Sequence, residues 1–354
     1  MSFDLYAKRP LVIAGPCSAE THEQTLETCK ALAATGCVDI IRAGVWKPRT
    51  KPGGFEGMGL RGLAWIAEAK EMTNLPVAVE VATAKHVESA LEFGVDMLWI
   101  GARTTVNPFS VQEIADAVKG SGISILIKNP MNPDIELWSG AVARFRNAGI
   151  DDRHLGLIHR GFSYFGHTQY RNTPMWHVVL EMRSRFPNLA MICDPSHICG
   201  RRDNLLEIAQ HAADMSFDGV MVESHISPDS ALSDASQQVM PEDFGKIISA
   251  IRWRKESANN PEFIESLNKH RDSIDQIDSE LFELLSRRME IAEKIGRIKR
   301  DNDVAILQGE RWSSIVEKSL AQASKLYLSE DFMRTILEAI HIESINRQNK
   351  VMNK

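Results

Sequence analysis

Residues 11–20 read LVIAGPCSAE, an apolar run that meets Gly-Pro and then presents Cys17 at the place where a buried strand should end. Comparable runs recur as VDIIRAGV (38–45), PVAVEVA (76–82), MLWIGA (97–102), SILIKN (124–129), LGLIHRG (155–161), LAMICDPSH (189–197) and DGVMVESH (218–225). Longer amphipathic segments separate them. Near-continuous apolar strands alternating with helices suit a parallel sheet covered on both faces. Eight such units in roughly 250 residues specify an α/β fold, the (β/α)8 TIM barrel, whose site forms at the C-terminal ends of the strands.

Each run ends in polar residues. Cys17 and Ser18 follow the first, and Arg42 closes the second, with Lys47, Arg49 and Thr50 in KPRT and a glycine-rich stretch, KPGGFEGMG, behind it. Glu80 ends the third run, Arg103 the fourth, Lys128 and Asn129 the fifth, His159 and Arg160 the sixth. Asp194 and His197 follow the seventh, Glu223 and His225 the eighth, with Asp234 in the loop beyond.

In a closed barrel the eighth strand neighbours both the seventh and the first, so Cys17, His197, Glu223 and Asp234 can converge. A lone cysteine is most often a small buried hydrophobe. Together, a thiolate, an imidazole and two carboxylates make a mixed N/O/S set suited to a divalent metal, with manganese, iron, cobalt and zinc as candidates. Arg42, Lys47, Arg49, Arg103, Lys128 and Arg160 line the same rim. Clustered cations are costly unless anions fill the space between them, and guanidinium groups match carboxylate and phosphate geometry. The rim therefore reads as a site for more than one phosphate or carboxylate.

The chain has 354 residues, 44% hydrophobic and 25% charged, with a formal net charge of -6. That balance argues against a general nucleic-acid binder, which needs a basic surface. The N-terminus, MSFDLYAKRPLVIAG, lacks a signal peptide's apolar core, and no apolar run approaches the ~18 residues of a membrane span. A cytoplasmic protein with no membrane partner is expected. Five scattered cysteines indicate neither a disulfide framework nor a Cys-x-x-Cys zinc site.

Beyond a barrel domain at 1–253, residues 254–263 read as a polar linker with an Asn-Asn-Pro break. In 264–354 the strand signal vanishes. Apolar residues from Ile264 to Ile298 fall at helical spacings, predicting one long helix. Two shorter helices are expected near 310–320 and 329–349. Such a small all-α domain cannot bury its own apolar stripe, so pairing with a second copy is expected.

AGPCS, RAGVWKPRT, GARTT, KNP, HRGFS, DPSH, MVESH and SDASQQ together resemble the 3-deoxy-D-arabino-heptulosonate 7-phosphate (DAHP) synthases, the first enzymes of the shikimate pathway. The resemblance spans nearly the whole barrel. It implies condensation of phosphoenolpyruvate with D-erythrose 4-phosphate, releasing phosphate, with a divalent metal on Cys17, His197, Glu223 and Asp234. Manganese is the first expectation for that metal, before cobalt, iron, zinc or cadmium. Arg103, Lys128 and Arg160 would hold phosphoenolpyruvate, with Arg42 and Lys47 near its reacting end. Arg49 and Thr50 would take the phosphate of erythrose 4-phosphate, and Lys47 would donate a proton to the new alkoxide. The related octulosonate-phosphate synthases, which use arabinose 5-phosphate, carry an Asn-containing motif where this chain has KPRT.

Residues 267–299, LNKHRDSIDQIDSELFELLSRRMEIAEKIGRIK, resemble the first helix of the all-helical chorismate mutases. The matching residues are Arg271, Arg288, Lys299, Arg311, Ser344 and Gln348. Arg288 and Lys299 are eleven apart, about three helical turns, and so share a face that would suit a dicarboxylate. The family implies conversion of chorismate to prephenate in an intertwined homodimer, in which Arg271 serves the partner's site; a tetramer is the alternative assembly. The family usually places Glu directly after the second-helix Arg, where this chain has Trp312, and Gln308 stands at an upstream Asp position. A second reading makes the domain a chorismate- or prephenate-sensing dimerisation module, and in either case prephenate is expected to feed back on the synthase.

Overall fold

In the computed structural model, residues 3–47, 53–166, 168–255, 259–307 and 309–353 are described. The chain divides into two compact units, Met1–Glu256 and Ser257–Lys354. In the first, eight parallel strands among the described residues close into a barrel in sequence order. They are β1 (Leu11–Gly15), β2 (Ile40–Ala43), β3 (Val77–Val81), β4 (Met97–Ile100), β5 (Ser124–Lys128), β6 (Leu155–His159), β7 (Ala190–Cys193) and β8 (Gly219–Glu223).

Both sheet faces are buried, which is why the strands are near-continuously apolar. Alternate side chains divide between two clusters. Leu11 and Ile13 join Ile40, Met97, Trp99, Leu126, Ile158, Ile192 and Met221 inside the barrel, with Leu5 from the N-terminal segment. Val12 and Ala14 turn outward with Ile41, Val79, Leu98 and Val222 to meet the helices. Side-chain caps start several of those helices: Thr21 accepts from the Gln24 N–H, Thr83 from His86 and Asp134 from Leu137.

The second unit is helical. Its long helix, Pro261–Asp301, opens with Asn260 as side-chain cap and Pro261 in the first turn. Helices Gly309–Lys325 and Glu330–Met352 follow. Met289, Ala292 and Gly296 are the long helix's buried positions. Towards its N-terminal half, Ile274, Ile277, Leu281 and Leu284 lie between 48% and 63% exposed, an uncovered apolar stripe on this unit. No described helix is long and apolar enough to cross a membrane.

Candidate active sites

The pairing of Gly15 with Glu223 brings the end of β1 beside the end of β8. Two residues on, the Cys17 N–H donates to Gln238 Oε1 at 2.8 Å. The hydroxyls of Ser18 and Ser233 meet at 2.6 Å, and Glu20 Oε1 accepts from the Leu232 N–H at 2.8 Å. These bonds lay the loop beyond β8 against the loop beyond β1. Asp234 Oδ2 thereby comes to 3.4 Å from Cys17 Sγ. Cys17, Glu223 and Asp234 each offer one ligand atom, and the three atoms lie within 4.8 Å of one another. His197 stands on the short helix Pro195–Cys199, whose cap is Asp194. Its Nδ1 lies 2.8 Å from Asp194 Oδ2 and its Nε2 3.8 Å from Glu223 Oε1, so the fourth predicted group approaches Glu223 but stands outside the close trio of Cys17, Glu223 and Asp234.

Most of the predicted cations also converge, but they are not equivalent. Arg42 is 1% exposed, 2.7 Å from Glu223 Oε1, with its guanidinium over the Trp99 ring. Lys128 pairs with Asp194 at 2.8 Å, and Lys47 Nζ lies 3.1 Å from Cys17 Sγ. Gly44 makes room for that lysine, since a Cβ there would lie 2.6 Å from Lys47 Nζ. Lys47, Glu80, Arg103, Lys128, Arg160, His197 and Asp234 line one cavity at the mouth. Arg160 is buried, and its guanidinium donates to the Gly161 carbonyl at 3.2 Å. Burial drives it down to about 10, the mark of a cation awaiting an anion. Arg49 and Thr50 lie outside the described residues.

The anionic groups show the opposite pattern. Burial alone would raise Glu223, yet His197, Arg42 and Lys47 bring its carboxyl down to about 2. Asp234 is likewise held well below the usual carboxylate range, because His197 and Arg171 outweigh its burial. Burial, then Glu223, push the Cys17 thiol up to about 12. Two ionised carboxylates beside a thiol that will not ionise unaided form a set that a divalent cation would complete, with release of the thiol proton.

His159 does not belong to this mouth. Strand alternation puts Ile158 inside the barrel and turns His159 outward, its ring 5.1 Å from Trp176 and 5.8 Å from Phe162. Burial lowers it to about 3, so it stays a neutral core residue.

In the helical unit, Arg288, Lys299, Arg311, Ser344 and Gln348 line a single cleft of about 330 Å³. Arg288 Nη1 donates to Ser344 Oγ at 2.5 Å and Lys299 Nζ to the Ile306 carbonyl at 2.6 Å. Gln348 is 9% exposed and its Oε1 has no hydrogen-bond partner among the described residues. The remaining lining is Ile291, Ala292, Ile295, Ile306, Trp312, Ile315 and His341, so no carboxylate faces the three cations among the described lining residues. Arg271 is not part of this lining. It lies seventeen residues before Arg288, about 25 Å along the helix. Gln308 falls outside the described residues.

Residues 6–258 match the model of the DAHP synthetase I family, and residues 270–349 match chorismate mutase type II. The chain belongs to the DAHP synthetase I family. Its barrel is a DAHP synthase, and its helical unit is a chorismate mutase domain. A phospho-2-dehydro-3-deoxyheptonate aldolase of Thermotoga maritima is 31% identical over 241 residues, 68% of each chain. A 2-dehydro-3-deoxyphosphooctonate aldolase of Geotalea daltonii is 29% identical over 269 residues, 69% of this chain and 92% of that one. Among solved structures, DAHP synthase from Thermotoga maritima superposes with a TM-score of 0.61 at 28% identity, covering 70% of this chain and 71% of that one.

Two features of this DAHP synthase escaped the motif reading. Arg171 reaches Asp234 and Gln237 from the segment after β6, a long-range contact with no local signature. In the mutase domain, Trp312 stacks on His341 with centroids 4.1 Å apart and planes 20° apart, forming one wall of the cleft. The sequence departure at Trp312 was visible; its partner on another helix was not.

Proposed function

We propose that the barrel condenses phosphoenolpyruvate with D-erythrose 4-phosphate at a site completed by a divalent metal, and that the helical domain rearranges chorismate to prephenate. The observation that most supports the first reading is the buried Arg160 beside Arg103, directly paired with no carboxylate among the described residues, in the cavity that also carries His197 and Asp234. Arg103, Lys128 and Arg160 would receive the phosphate and carboxylate of phosphoenolpyruvate, with Arg42 fixing Glu223 nearby. By the family resemblance, Arg49 and Thr50 would take the aldose phosphate. Cys17, His197, Glu223 and Asp234 would hold the metal, for which manganese is the first candidate. When bound, such a cation polarises a carbonyl oxygen. The nucleophilic C3 of phosphoenolpyruvate would attack the aldehyde carbon, Lys47 would give a proton to the aldehyde oxygen, water would add at C2 and phosphate would leave.

Chelation tests this directly. The metal-stripped protein is expected to release no phosphate from the two substrates above background, and added manganese is expected to restore the rate. Arabinose 5-phosphate should not replace erythrose 4-phosphate. Full turnover by verified metal-free protein would remove the metal from the reading.

For the mutase, three cations on one cleft with no acidic group among its described lining favour a dianion, and chorismate carries two carboxylates. Its rearrangement needs only a compact conformer held by cations and a donor to the ether oxygen, which Lys299 or Gln348 would supply. The exposed stripe on the long helix supports a homodimer. Joining a pathway's first enzyme to a later one supports feedback, so prephenate is expected to lower the synthase rate by linkage. An unchanged rate at saturating prephenate would remove that part.

A further inference from the structure

The segment Arg171–Thr173, after β6, is bound alongside the helix that carries His197. The Arg171 N–H donates to the Cys199 carbonyl at 3.3 Å and the Asn172 N–H to Ile198 at 3.1 Å. The Asn172 side-chain amide donates to the carbonyl of His197 itself at 2.6 Å. From this anchored backbone, Arg171 Nη1 reaches Asp234 Oδ1 at 2.9 Å and Gln237 Oε1 at 2.7 Å. Gln237 carries the contact onward, its Nε2 donating to Glu223 Oε2 at 2.7 Å.

We propose that Arg171 and Asn172 are positioning residues that hold His197, Glu223 and Asp234 in register for the metal. This rests on the metal reading above. Asp234 has two oxygens, and Arg171 engages Oδ1 while Oδ2 faces Cys17. Without the guanidinium the carboxylate is free to rotate. Gln237 has one orientation that accepts from Arg171 and donates to Glu223, so the same arginine sets a second ligand through it. The route for the arm is reserved at Gly200, where φ is +69° and a Cβ would stand 2.4 Å from Arg171 Cβ. A packing role fits poorly, because the Arg171 side chain is 46% exposed. Orientation by outer partners of metal ligands is worth about 10–100-fold in affinity. A purely electrostatic role would have the opposite sign, since removing a cation beside Asp234 would favour a divalent ion.

The test is manganese binding by the stripped full-length protein, followed through the paramagnetic resonance of free manganese. A second readout is the thiolate-to-cobalt charge-transfer band on cobalt addition. Arg171→Met is expected to weaken manganese binding about 10–100-fold and to shift the cobalt band, with the thermal midpoint close to wild type. Arg171→Lys should recover part of the affinity. Gln237→Leu cuts the relay but spares the Arg171–Asp234 pair, so it should give a smaller loss and supplies an independent reading if Arg171→Met folds poorly. Unchanged or tighter binding by both variants overturns the proposal and leaves the metal reading intact. Failure of the wild-type protein to bind manganese or cobalt stoichiometrically overturns the metal reading itself.

Discussion

Replacing Arg288 by alanine is expected to lower kcat/KM for chorismate by about 10²–10³-fold, the scale of losing a preorganised charged donor from a transition-state site. Arg288 lines the cleft with Lys299 and Arg311, and its Nη1 bond to Ser344 fixes the guanidinium in the third helix's direction. Arg288→Lys keeps a charge but loses the planar fork, so it should fall between the two. Arg271→Ala should produce a comparable loss although Arg271 is about 25 Å of helix away from the cleft. That distance turns the dimer reading into a complementation experiment. If each site takes Arg288 from one chain and Arg271 from the other, a mixed dimer of the two variants contains one intact site. Random mixing should then restore about a quarter of wild-type activity. No loss in Arg288→Ala would leave the cleft without a catalytic role, and no recovery on mixing would place Arg271 outside the partner's site.

How far these sites could be read in advance depended on the range of the interactions involved. All eight strands appear as apolar runs because both faces of a parallel barrel are buried, and that pattern is local. Closure made Cys17 a neighbour of Glu223 and Asp234 although it lies at the other end of the barrel sequence, an inference that needed only topology. Side-chain direction at a strand end was harder. Residues at such ends alternate inward and outward, so His159 and Arg160 are adjacent in sequence but belong to the outer core and the mouth respectively. The partition of cations was not legible either. Arg42 and Lys128 are in direct ion pairs, whereas Arg160 makes none among the described residues, a difference that depends on where Glu223 and Asp194 point rather than on any motif. The Arg171 contacts lie beyond local pattern for the same reason, since they join separate loops. Likewise, the long helix showed its apolar stripe at once, whereas the Trp312–His341 wall required two helices to meet.

Removing one partner of the buried pair Arg42–Glu223 should be among the most damaging single substitutions in the barrel. The two side chains are 1% and 0% exposed and 2.7 Å apart. Glu223 also accepts from Gln237, so its charge is both paired and hydrogen-bonded. Removing one partner of such a pair leaves an uncompensated buried charge and costs about 3–5 kcal/mol. Glu223→Ala is therefore expected to lower the midpoint of the barrel's thermal transition by roughly 10 °C. Acidity reports on the Glu223 charge as a whole, which His197 and Lys47 stabilise along with Arg42. The carboxyl titrates at about 2 in the fold against a usual 4.5. A group whose folded value is depressed stabilises the fold above its unfolded value and loses that contribution as pH falls through the folded one. The window runs from about pH 4.5 down to about 2, and the depression is worth about 3 kcal/mol. Glu223→Ala should thus flatten the stability loss in that window as well as lowering the midpoint at neutral pH. Arg42→Met should be as damaging as Glu223→Ala, while Arg42→Met combined with Glu223→Leu should regain much of the loss, because an apolar pair leaves no stranded charge. If the double variant were no better than either single one, a stranded charge would not be the source of the loss. The cation's placement over Trp99 would then be the contact to examine, since all three substitutions disturb it or its counter-charge.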